Sequence, residues 1–313
     1  MERLDGGSAV PAPLRGGIVA LGNFDGFHKG HQAVVGRAVS RAHAEGRPAL
    51  VATFDPHPVR FFAPDVPPFR LTTLDQRERL FAEAGADAML VFHFNAELAS
   101  VSAPDFIADY LASRIGAAGV VTGEDFTFGK GRGGNVEVLK LLGQAHRISV
   151  DSVSPVNDDG EPVSSSRIRE ALQAGDCETA TLLLTRPFAI EGEVEHGDKR
   201  GRELGYPTAN IALGSYLRPR FGVYAVRGRL GDGTIAEGVA NLGTRPMFEP
   251  PKELLEPYFF DFDGDLYGRR IEVDLVSFIR PEEKFESLDA LKIQMARDCD
   301  EARRRLAAAP PLA

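Results

Sequence analysis

The chain has 313 residues, of which 43% are hydrophobic and 26% charged, and its formal net charge at pH 7 is −9. This composition is typical of a soluble globular protein of about two domains, and it argues against nucleic acid as a partner, although a local site can still bind a small anion. Cys177 and Cys299 are far apart in the sequence, which excludes a cysteine metal cluster or a disulfide framework and favours the reducing cytoplasm. We expect no membrane partner, because no apolar run reaches ~18 residues and no secretory signal is recognisable.

Residues 1–185 alternate short apolar runs with stretches of helical periodicity. This alternation predicts β-α-β units and therefore a parallel-sheet α/β domain of Rossmann-like type. The predicted strands are 18–21, 49–54, 88–92, 119–122 and 148–153. The predicted helices lie near 31–44, 74–84, 104–115, 136–145, 166–174 and 178–184. Thr73 with Gln76 has the form of a capping box, and Ser102 is a predicted N-cap before Pro104.

Residues 186–313 show a different pattern, after a break near 185–187. Approximate period-two alternation, interrupted by Gly and Pro, runs through FAIEGEVEH, FGVYAVRGRL, TIAEGVANLG, PYFFDFDG and RRIEVDLVSF. Such a pattern predicts a mainly antiparallel β-barrel. A terminal helix follows Ser287, and we expect its apolar stripe to pack into the core. The stripe consists of Leu288, Leu291, Met295, Cys299, Ala302 and Leu306.

The stretch GNFDGFHKGH, residues 22–31, follows the first predicted strand directly. In an open α/β sheet, ligands bind beyond the carboxyl ends of the strands, and a helix that starts near Lys29 directs free N–H groups and its positive dipole end at that place. His28 and His31 can then both donate to one phosphate group. The alternative is a pair of surface histidines in a turn, but the position at a strand–helix junction favours a phosphate site.

The same stretch resembles the nucleotide-binding signature of HxGH nucleotidylyltransferases. Seven further motifs occur in the order found in the bacterial bifunctional riboflavin kinase/FAD synthetase family, and the resemblance covers nearly the whole chain. They are TFDPHP (53–58), LTTLDQRERL (71–80), GEDFTFGKGRGGN (123–135) with SSSRIR (164–169), GRELGYPTAN (201–210), NLGTRP (241–246) and DFDGDLYG (261–268).

The resemblance implies two reactions. The second half is expected to transfer the γ-phosphoryl group of ATP to riboflavin, which gives FMN. The first half is expected to transfer AMP from another ATP to FMN, which gives FAD and pyrophosphate. Mg²⁺ is the expected cofactor, bound with ATP, and the expected assembly is a monomer or a weak homo-oligomer.

In the first half, the resemblance implies two sets of ligand-binding residues. Those expected at the ATP phosphates are Gly22, Asn23, Phe24, Asp25, His28, His31, Ser164, Ser165 and Arg167, with the two histidines as catalytic groups. Those expected at the flavin are Asp55, His57, Asp125, Phe126 and Phe128, with Lys130 and Arg132 facing a phosphorylated ligand. Phe126 and Phe128 can equally be core residues, and SSSRIR can be a simple helix cap.

In the second half, hard oxygen atoms suited to Mg²⁺ come from Thr208 and Asn210. The ATP-binding residues expected around them are Gly201, Gly205 and Pro207, and the expected flavin contacts are Asn241 and Arg297. The predicted catalytic base is Glu256, on the same strand face as Tyr258, Phe260 and Phe262.

Several positions depart from the family pattern. Pro257-Tyr258 replaces a more usual Ala-His, which leaves Glu253 as the alternative base and predicts an edge or a bulge at Pro257. Met247, Arg77 and Asn135 are mild changes at other motifs. Two other functions stay open at this point: an adenylyltransferase with a regulatory or nucleic-acid-binding barrel, and a non-catalytic flavin carrier. The acidic charge weighs against the first, and the intact histidines and PTAN motif weigh against the second.

Overall fold

The computed structural model of the chain describes residues 1–196, 205–231, 233–245 and 251–310. They form two compact units. The first unit comprises Met1–Pro67 and Thr72–Ser164, and the second comprises Pro68–Leu71 and Ser165–Ala313. The predicted boundary between residues 185 and 186 rests on the order of the motifs rather than on packing, and it stays a prediction of where the two functions divide.

The first unit is built on a six-stranded parallel sheet. Its strands are β1 (Glu2–Asp5), β2 (Ile18–Leu21), β3 (Ala49–Asp55), β4 (Ala88–His93), β5 (Gly119–Gly123) and β6 (Ser149–Val153). They lie in the order β1-β4-β3-β2-β5-β6. The five predicted strands are confirmed. β1 was not predicted because its four residues are mostly exposed and carry no apolar period.

The helices of the first unit follow the predicted alternation. They are α1 (Lys29–Glu45), α2 (Pro58–Phe62), α3 (Leu74–Glu83), α4 (Ala96–Ser100), α5 (Ala103–Asp105, continued by a π-helix at Phe106–Ile115) and α6 (Val136–Ala145). The capping box of Thr73 and Gln76 is confirmed, with both reciprocal bonds formed. Ser102 is confirmed as an N-cap. The short helices α2 and α4 were not predicted, because five residues are too few to show a helical period.

The central strands of the sheet in the first unit are buried on both faces. On β2, Val19 and Leu21 belong to one hydrophobic core, and Ile18 and Ala20 belong to the core on the opposite face. None of these four residues is more than 1% exposed. Burial on both faces explains why the central strand reads as a continuous apolar run.

The second unit is mainly an antiparallel barrel, as predicted. Its strands are β9 (Phe188–Glu193), β10 (Ile211–Ala212), β11 (Gly222–Arg229), β12 (Ile235–Arg245), β13 (Lys252–Phe259) and β14 (Arg270–Arg280), numbered after the hairpin β7 (Asn157–Asp158) and β8 (Glu161–Pro162) of the first unit. The ladder runs β10-β13-β12-β11-β14-β9. The Glu195 N–H donates to the Asn210 carbonyl at 2.8 Å, so the chain after β9 meets the chain before β10 and nearly closes the barrel.

The described residues of the second unit also form the helices α7 (Ser165–Ala174), α8 (Cys177–Leu184) and α9 (Leu288–Ala308). The prediction that the whole apolar stripe of α9 is buried is wrong. Cys299, Ala302 and Leu306 lie in a core with Ala225 of β11, but Leu288 is 67% exposed. The first turns of α9 precede the part that packs on the barrel, so their apolar residues meet less of it. In the described part of the chain, no helix is both long and apolar enough to cross a membrane.

Candidate functional sites

The loop after β2 lies where the strand order of the sheet reverses. From β2 the chain continues to β3 and β4 on one side, whereas β5 and β6 lie on the other. Ligands of open α/β sheets bind at such a switch point. The loop has left-handed backbone at Phe24 (φ 51°), Gly26 (φ 88°) and Phe27 (φ 46°). For a non-glycine residue this conformation costs of order 1–3 kcal/mol and is common at functional sites.

His28 and His31 form a stacked pair at the start of α1. Their ring centroids are 3.6 Å apart and the ring planes differ by 21°. His28 is the N-cap residue, and its Nδ1 accepts from the His31 N–H at 3.4 Å. Since Nδ1 accepts, the proton of a neutral His28 ring is assigned to Nε2, which can donate to an anion. The helix begins at Lys29, as expected from the strand–helix junction and two residues before the helical period near residues 31–44.

Gly30 makes the stacking of the two histidines sterically feasible. A Cβ atom at residue 30 would lie 3.2 Å from Cε1 and 3.3 Å from Nδ1 of His28. Such a contact is tight, and the His28 ring would have to shift. The glycine of the HxGH motif thus leaves room for the first histidine beside the helix end.

The buried side of the loop is anchored by Asp25 and Phe24. Asp25 is 4% exposed and accepts from the Thr72 backbone N–H at 3.0 Å, while the Gly26 N–H donates to Thr72 Oγ1 at 2.9 Å. Phe24 is 2% exposed and packs edge-on against Phe81. These contacts hold the loop, and the predicted contacts of Asp25 and Phe24 with ATP stay predictions.

Asn23 offers both an anchored carbonyl and a candidate ligand atom. Its backbone carbonyl accepts from Thr53 Oγ1 at 2.8 Å and from Arg77 at 3.2 Å. Its side-chain Oδ1 is buried, and no hydrogen-bond partner for it occurs within the residues that the structure describes. At Gly22, a Cβ atom would lie 2.9 Å from the Phe24 ring, so a side chain there would displace that ring.

The TFDPHP motif lies at the carboxyl end of β3. The Asp55–Pro56 peptide bond is cis, and His57 caps α2 by accepting from the Val59 N–H at 3.2 Å. Asp55 is half-buried and lies 3.8 Å from the Arg77 guanidinium. The Asp55 and His57 side chains of this motif are therefore held by the structure around them.

An aromatic cluster beside TFDPHP was missed by the sequence reasoning. Phe61, Phe62 and Phe94 form mutual edge-to-face contacts with centroids 5.1–5.8 Å apart. Phe62 is 69% exposed, which is unusual for so large an apolar ring. The available signal was the Phe61-Phe62 pair, which follows the second proline of the motif after Val59 and Arg60.

The residues of the GEDFTFGKGRGGN motif differ in how deeply they are buried. Phe128 is 7% exposed and lies in the hydrophobic core, so its ring has little surface left for a ligand. Phe126 is half-buried and stacks on Phe128 with centroids 5.8 Å apart. Asp125, Lys130 and Arg132 are exposed.

The chain between β6 and α7 runs beside the HxGH motif. The Lys29 ammonium pairs with Asp158 of the β7–β8 hairpin at 3.1 Å. The Val163 carbonyl lies 3.7 Å from where a Cβ on Gly30 would be, so Ser164, the next residue, is also near the start of α1. Ser165 begins α7 in the second unit, and Arg167 lies in the first turn of that helix. Neither the hairpin nor the pair of Lys29 with Asp158 was predicted.

In the second unit, Thr208 and Asn210 flank Ala209, whose N–H donates to the Pro257 carbonyl of β13. Thr208 is half-buried and Asn210 is 7% exposed. Residues two apart in extended chain point to the same side, so the two side-chain oxygens can face one ion. Gly205 and Pro207 are exposed, and the predicted ATP contact Gly201 lies outside the described residues.

Glu256 lies on β13 opposite Asn241 of β12. It forms a bidentate ion pair with Arg245, whose Nε donates to Glu256 Oε1 at 2.7 Å. A carboxylate has about four acceptor positions, so lone pairs remain that can accept a proton. Asn241 Nδ2 donates to Glu282 Oε1 at 3.3 Å. Arg297, the other predicted flavin contact, is exposed on α9.

The predicted strand face of Glu256 needs one correction. β13 ends at Phe259, and Asp261 has φ 54°, so Tyr258 shares a strand face with Glu256 but Phe260 and Phe262 lie beyond the strand. The chain turns there after the Phe260 N–H has donated to Glu237.

Pro257 and Glu253 occupy the other face of β13. Ala209 lies beside Pro257, and its N–H donates to the Pro257 carbonyl at 3.0 Å. Glu253 pairs with Arg218, with Nε to Oε2 at 2.7 Å. Being three residues apart on a strand, Glu253 and Glu256 face opposite sides of it.

Comparison with known proteins gives two family matches. The family described as FAD synthetase matches residues 10–167, and the family described as riboflavin kinase matches residues 184–306. A solved structure that is named a macrolide-efflux protein from Streptococcus pneumoniae is 32% identical with a TM-score of 0.86, over 97% of this chain and 99% of that chain.

Curated relatives match along almost their whole length. The bifunctional riboflavin kinase/FMN adenylyltransferase of Escherichia coli strain K12 is 40% identical over 92% of both chains. The protein of the same name from Pseudomonas fluorescens is 41% identical over 95% of this chain and 94% of its own, and that from Bacillus subtilis is 38% identical over 91% of both. The chain therefore belongs to the family of bifunctional riboflavin kinase/FMN adenylyltransferases.

Proposed function

We propose that the two activities of the chain divide between residues 1–185, which adenylylate FMN, and residues 186–313, which phosphorylate riboflavin. The chain is an enzyme that uses one ATP to convert riboflavin to FMN and a second ATP to convert FMN to FAD. The observation that carries the division is the stacked His28–His31 pair at the start of α1, since it brings two candidate phosphate donors together within the first unit.

In the adenylyl transfer, an FMN phosphate oxygen attacks the α-phosphorus of ATP, and the bond to the pyrophosphate oxygen breaks. No protein nucleophile is needed, so the protein positions the reactants and stabilises charge. Nε2 of His28 and the ring of His31 donate to the phosphate oxygens, assisted by the free N–H groups and dipole of α1. Each such donor is worth about 10²–10³-fold in rate.

Two further groups of residues complete our assignment of the adenylyl-transfer site. Ser164, Ser165 and Arg167 provide hydroxyl and guanidinium donors for phosphates, and the position of Val163 beside Gly30 supports the first of these. The flavin ring stacks on the exposed Phe62, with Asp55, His57, Asp125 and Phe126 around its polar edges. The exposure of Phe62 supports this assignment. Phe128 contributes by packing beneath Phe126.

In the kinase reaction, Mg²⁺ neutralises charge on the transferring phosphate when it is bound with ATP. Thr208 and Asn210 fit this ion, because a hydroxyl and an amide oxygen are hard ligands and can face the same side of the chain. Mg²⁺ in proteins commonly uses only one or two protein ligands, so Thr208 and Asn210 would suffice to hold it together with ATP. Gly201, Gly205 and Pro207 shape the backbone around the phosphates.

Glu256 accepts the proton of the terminal riboflavin hydroxyl as its oxygen attacks the γ-phosphorus of ATP. Its pair with Arg245 orients the carboxylate while leaving lone pairs available. Asn241, opposite Glu256 in the strand register, and Arg297 orient the flavin. A cytoplasmic location, the absence of nucleic-acid partners, and a monomeric or weakly associated state stay predictions.

The experiment that tests the proposal incubates each substrate separately with Mg-ATP. Riboflavin should yield FMN and then FAD, and FMN should yield FAD directly, with pyrophosphate released. In the His28→Ala, His31→Ala double variant, riboflavin should still yield FMN at the normal rate. Loss of both activities in a folded double variant would disprove the division.

A further inference from the structure

Arg77 is a buried cation that contacts the HxGH loop, the segment of residues 22–28 between β2 and α1. It is 3% exposed and lies on α3, within the first unit. Its Nη1 donates to the Asn23 carbonyl at 3.2 Å and to Thr53 Oγ1 at 2.9 Å, and its Nη2 lies 3.8 Å from Asp55 Oδ1. One planar guanidinium thus contacts the loop after β2 and the carboxyl end of β3.

In the proposed function, the two segments that Arg77 contacts bind different substrates. The Asn23 carbonyl lies in the loop that leads to His28 and His31, whereas Asp55 belongs to the motif assigned to the flavin. A fork of several donors in fixed geometry can hold two such groups at a set spacing. A buried charge is costly unless it is paired and hydrogen-bonded, so the partners of Arg77 are also held in place by it.

The HxGH loop needs such external support. Its left-handed residues Phe24 and Phe27 are not glycines, and strained backbone persists only where surrounding structure determines it. Residues at the start of α3 provide this structure. The Thr72 N–H donates to Asp25, and the Thr72 hydroxyl accepts from the Gly26 N–H. Arg77 donates to the Asn23 carbonyl. The capping box of Thr73 and Gln76 fixes the helix end from which both contacts extend.

We propose that Arg77 is a positioning residue for adenylyl transfer, which sets the spacing between the phosphate-binding loop and the Asp55 end of the flavin site. It acts through Asn23, Thr53 and Asp55 and does not itself touch the reacting atoms. The inference rests on the proposed function, since it assumes that this loop and Asp55 hold the two substrates of one reaction.

The test compares Arg77→Met and Arg77→Lys with the matched control Arg79→Met, which changes an exposed arginine on the same helix. FAD formation from FMN and Mg-ATP gives kcat and KM, FMN formation from riboflavin gives an internal control, and thermal unfolding gives the folded fraction. A misplacement of about 1 Å can cost about 10²-fold in rate. We therefore expect Arg77→Met to lower kcat for FAD formation about 10–100-fold, with a much smaller change in KM for ATP.

The conservative variant separates positioning from mere stability. Lys retains the charge but donates as a point rather than as a fork, so Arg77→Lys should recover part of kcat. The control variant and the kinase activity of all variants should be unchanged. If Arg77→Met, assayed well below its unfolding temperature, has normal kcat, or if its loss matches the unfolded fraction, the inference is overturned.

If Arg77→Met does not fold, Thr53→Val keeps the test decisive. It removes the hydroxyl that accepts from Arg77 and donates to the Asn23 carbonyl, with little change in volume. A several-fold fall in kcat for FAD formation supports the inference, and a normal kcat overturns it. Wild-type enzyme that makes no FAD would instead refute the proposed function, so the two failures are distinguishable.

Discussion

Replacing Glu256 with Gln keeps the size of the side chain but removes the carboxylate that is proposed to accept the proton of riboflavin. A positioned general base is worth about 10²–10⁴-fold, which corresponds to about 3–5 kcal/mol of activation free energy. We expect kcat for FMN formation to fall by this factor. Because the base acts only in the transition state, kcat/KM should fall by the same factor.

The structure also predicts what Glu256→Gln leaves intact. The Arg245–Glu256 pair has side chains 30% and 15% exposed, and loss of such a partly exposed pair costs roughly 1 kcal/mol of folding free energy. The variant should therefore remain folded. Added FMN should still become FAD at the normal rate, because the adenylyl transfer is proposed to use its own ATP site in the other half of the chain.

The matched control is Glu253→Gln, which breaks a comparable pair with Arg218 on the opposite strand face. It should change FMN formation little. The assay follows riboflavin, FMN and FAD by chromatography over a range of riboflavin and Mg-ATP concentrations, with thermal unfolding measured alongside. If Glu253→Gln abolishes FMN formation while Glu256→Gln is silent, the base has been assigned to the wrong residue.

Three other predictions follow from the same geometry. His28→Ala and His31→Ala should each lower kcat for FAD formation about 10²–10³-fold, while FMN formation from riboflavin persists; equal loss of both activities would indicate a role in folding. Thr208→Ala and Asn210→Ala should raise the Mg²⁺ concentration needed for half-maximal FMN formation but not for FAD formation, and an unchanged Mg²⁺ titration would remove them from the ion. Burial raises the pKa of Asp274 from 3.8 to about 7, with Glu272 adding to the rise and arginines opposing it. Since folding then favours the protonated form, this group stabilises the fold below pH 4, and its contribution is lost as the pH rises to about 7. Urea unfolding of Asp274→Asn should show a smaller fall in stability than the wild type across that interval, and identical pH profiles would contradict the assignment.

Much of the first unit could be predicted because its central strands are buried on both faces. A run such as Ile18–Leu21 is apolar throughout, and its end is marked by the glycine at residue 22. The helical period alone places the start of α1 near residue 31, two residues after its observed start at Lys29, since histidine is not among the residues that usually cap helices. Only the structure shows that the His28 ring accepts from the backbone of His31.

The candidate sites were less completely predictable, because several contacts join residues far apart in the chain. Arg77 reaches Asn23 and Asp55 only through the packing of α3 against the sheet. The Phe61–Phe94 contact joins a short helix to the end of another strand. The sequence motifs identify residue types, but they do not give the distances between residues of different motifs. In the second unit, the turn after Phe259 interrupts an apolar alternation that the sequence continues to residue 262.

One measurement tests the central claim most directly: a time course of purified full-length chain with riboflavin and Mg-ATP, with flavins separated by chromatography and pyrophosphate measured in parallel. The account predicts that FMN appears first and that FAD then forms with one pyrophosphate released for each FAD. The His28→Ala, His31→Ala double variant should stop at FMN. A double variant that still converts riboflavin to FAD at the wild-type rate would contradict the account, as would a wild-type chain that consumes no ATP with riboflavin.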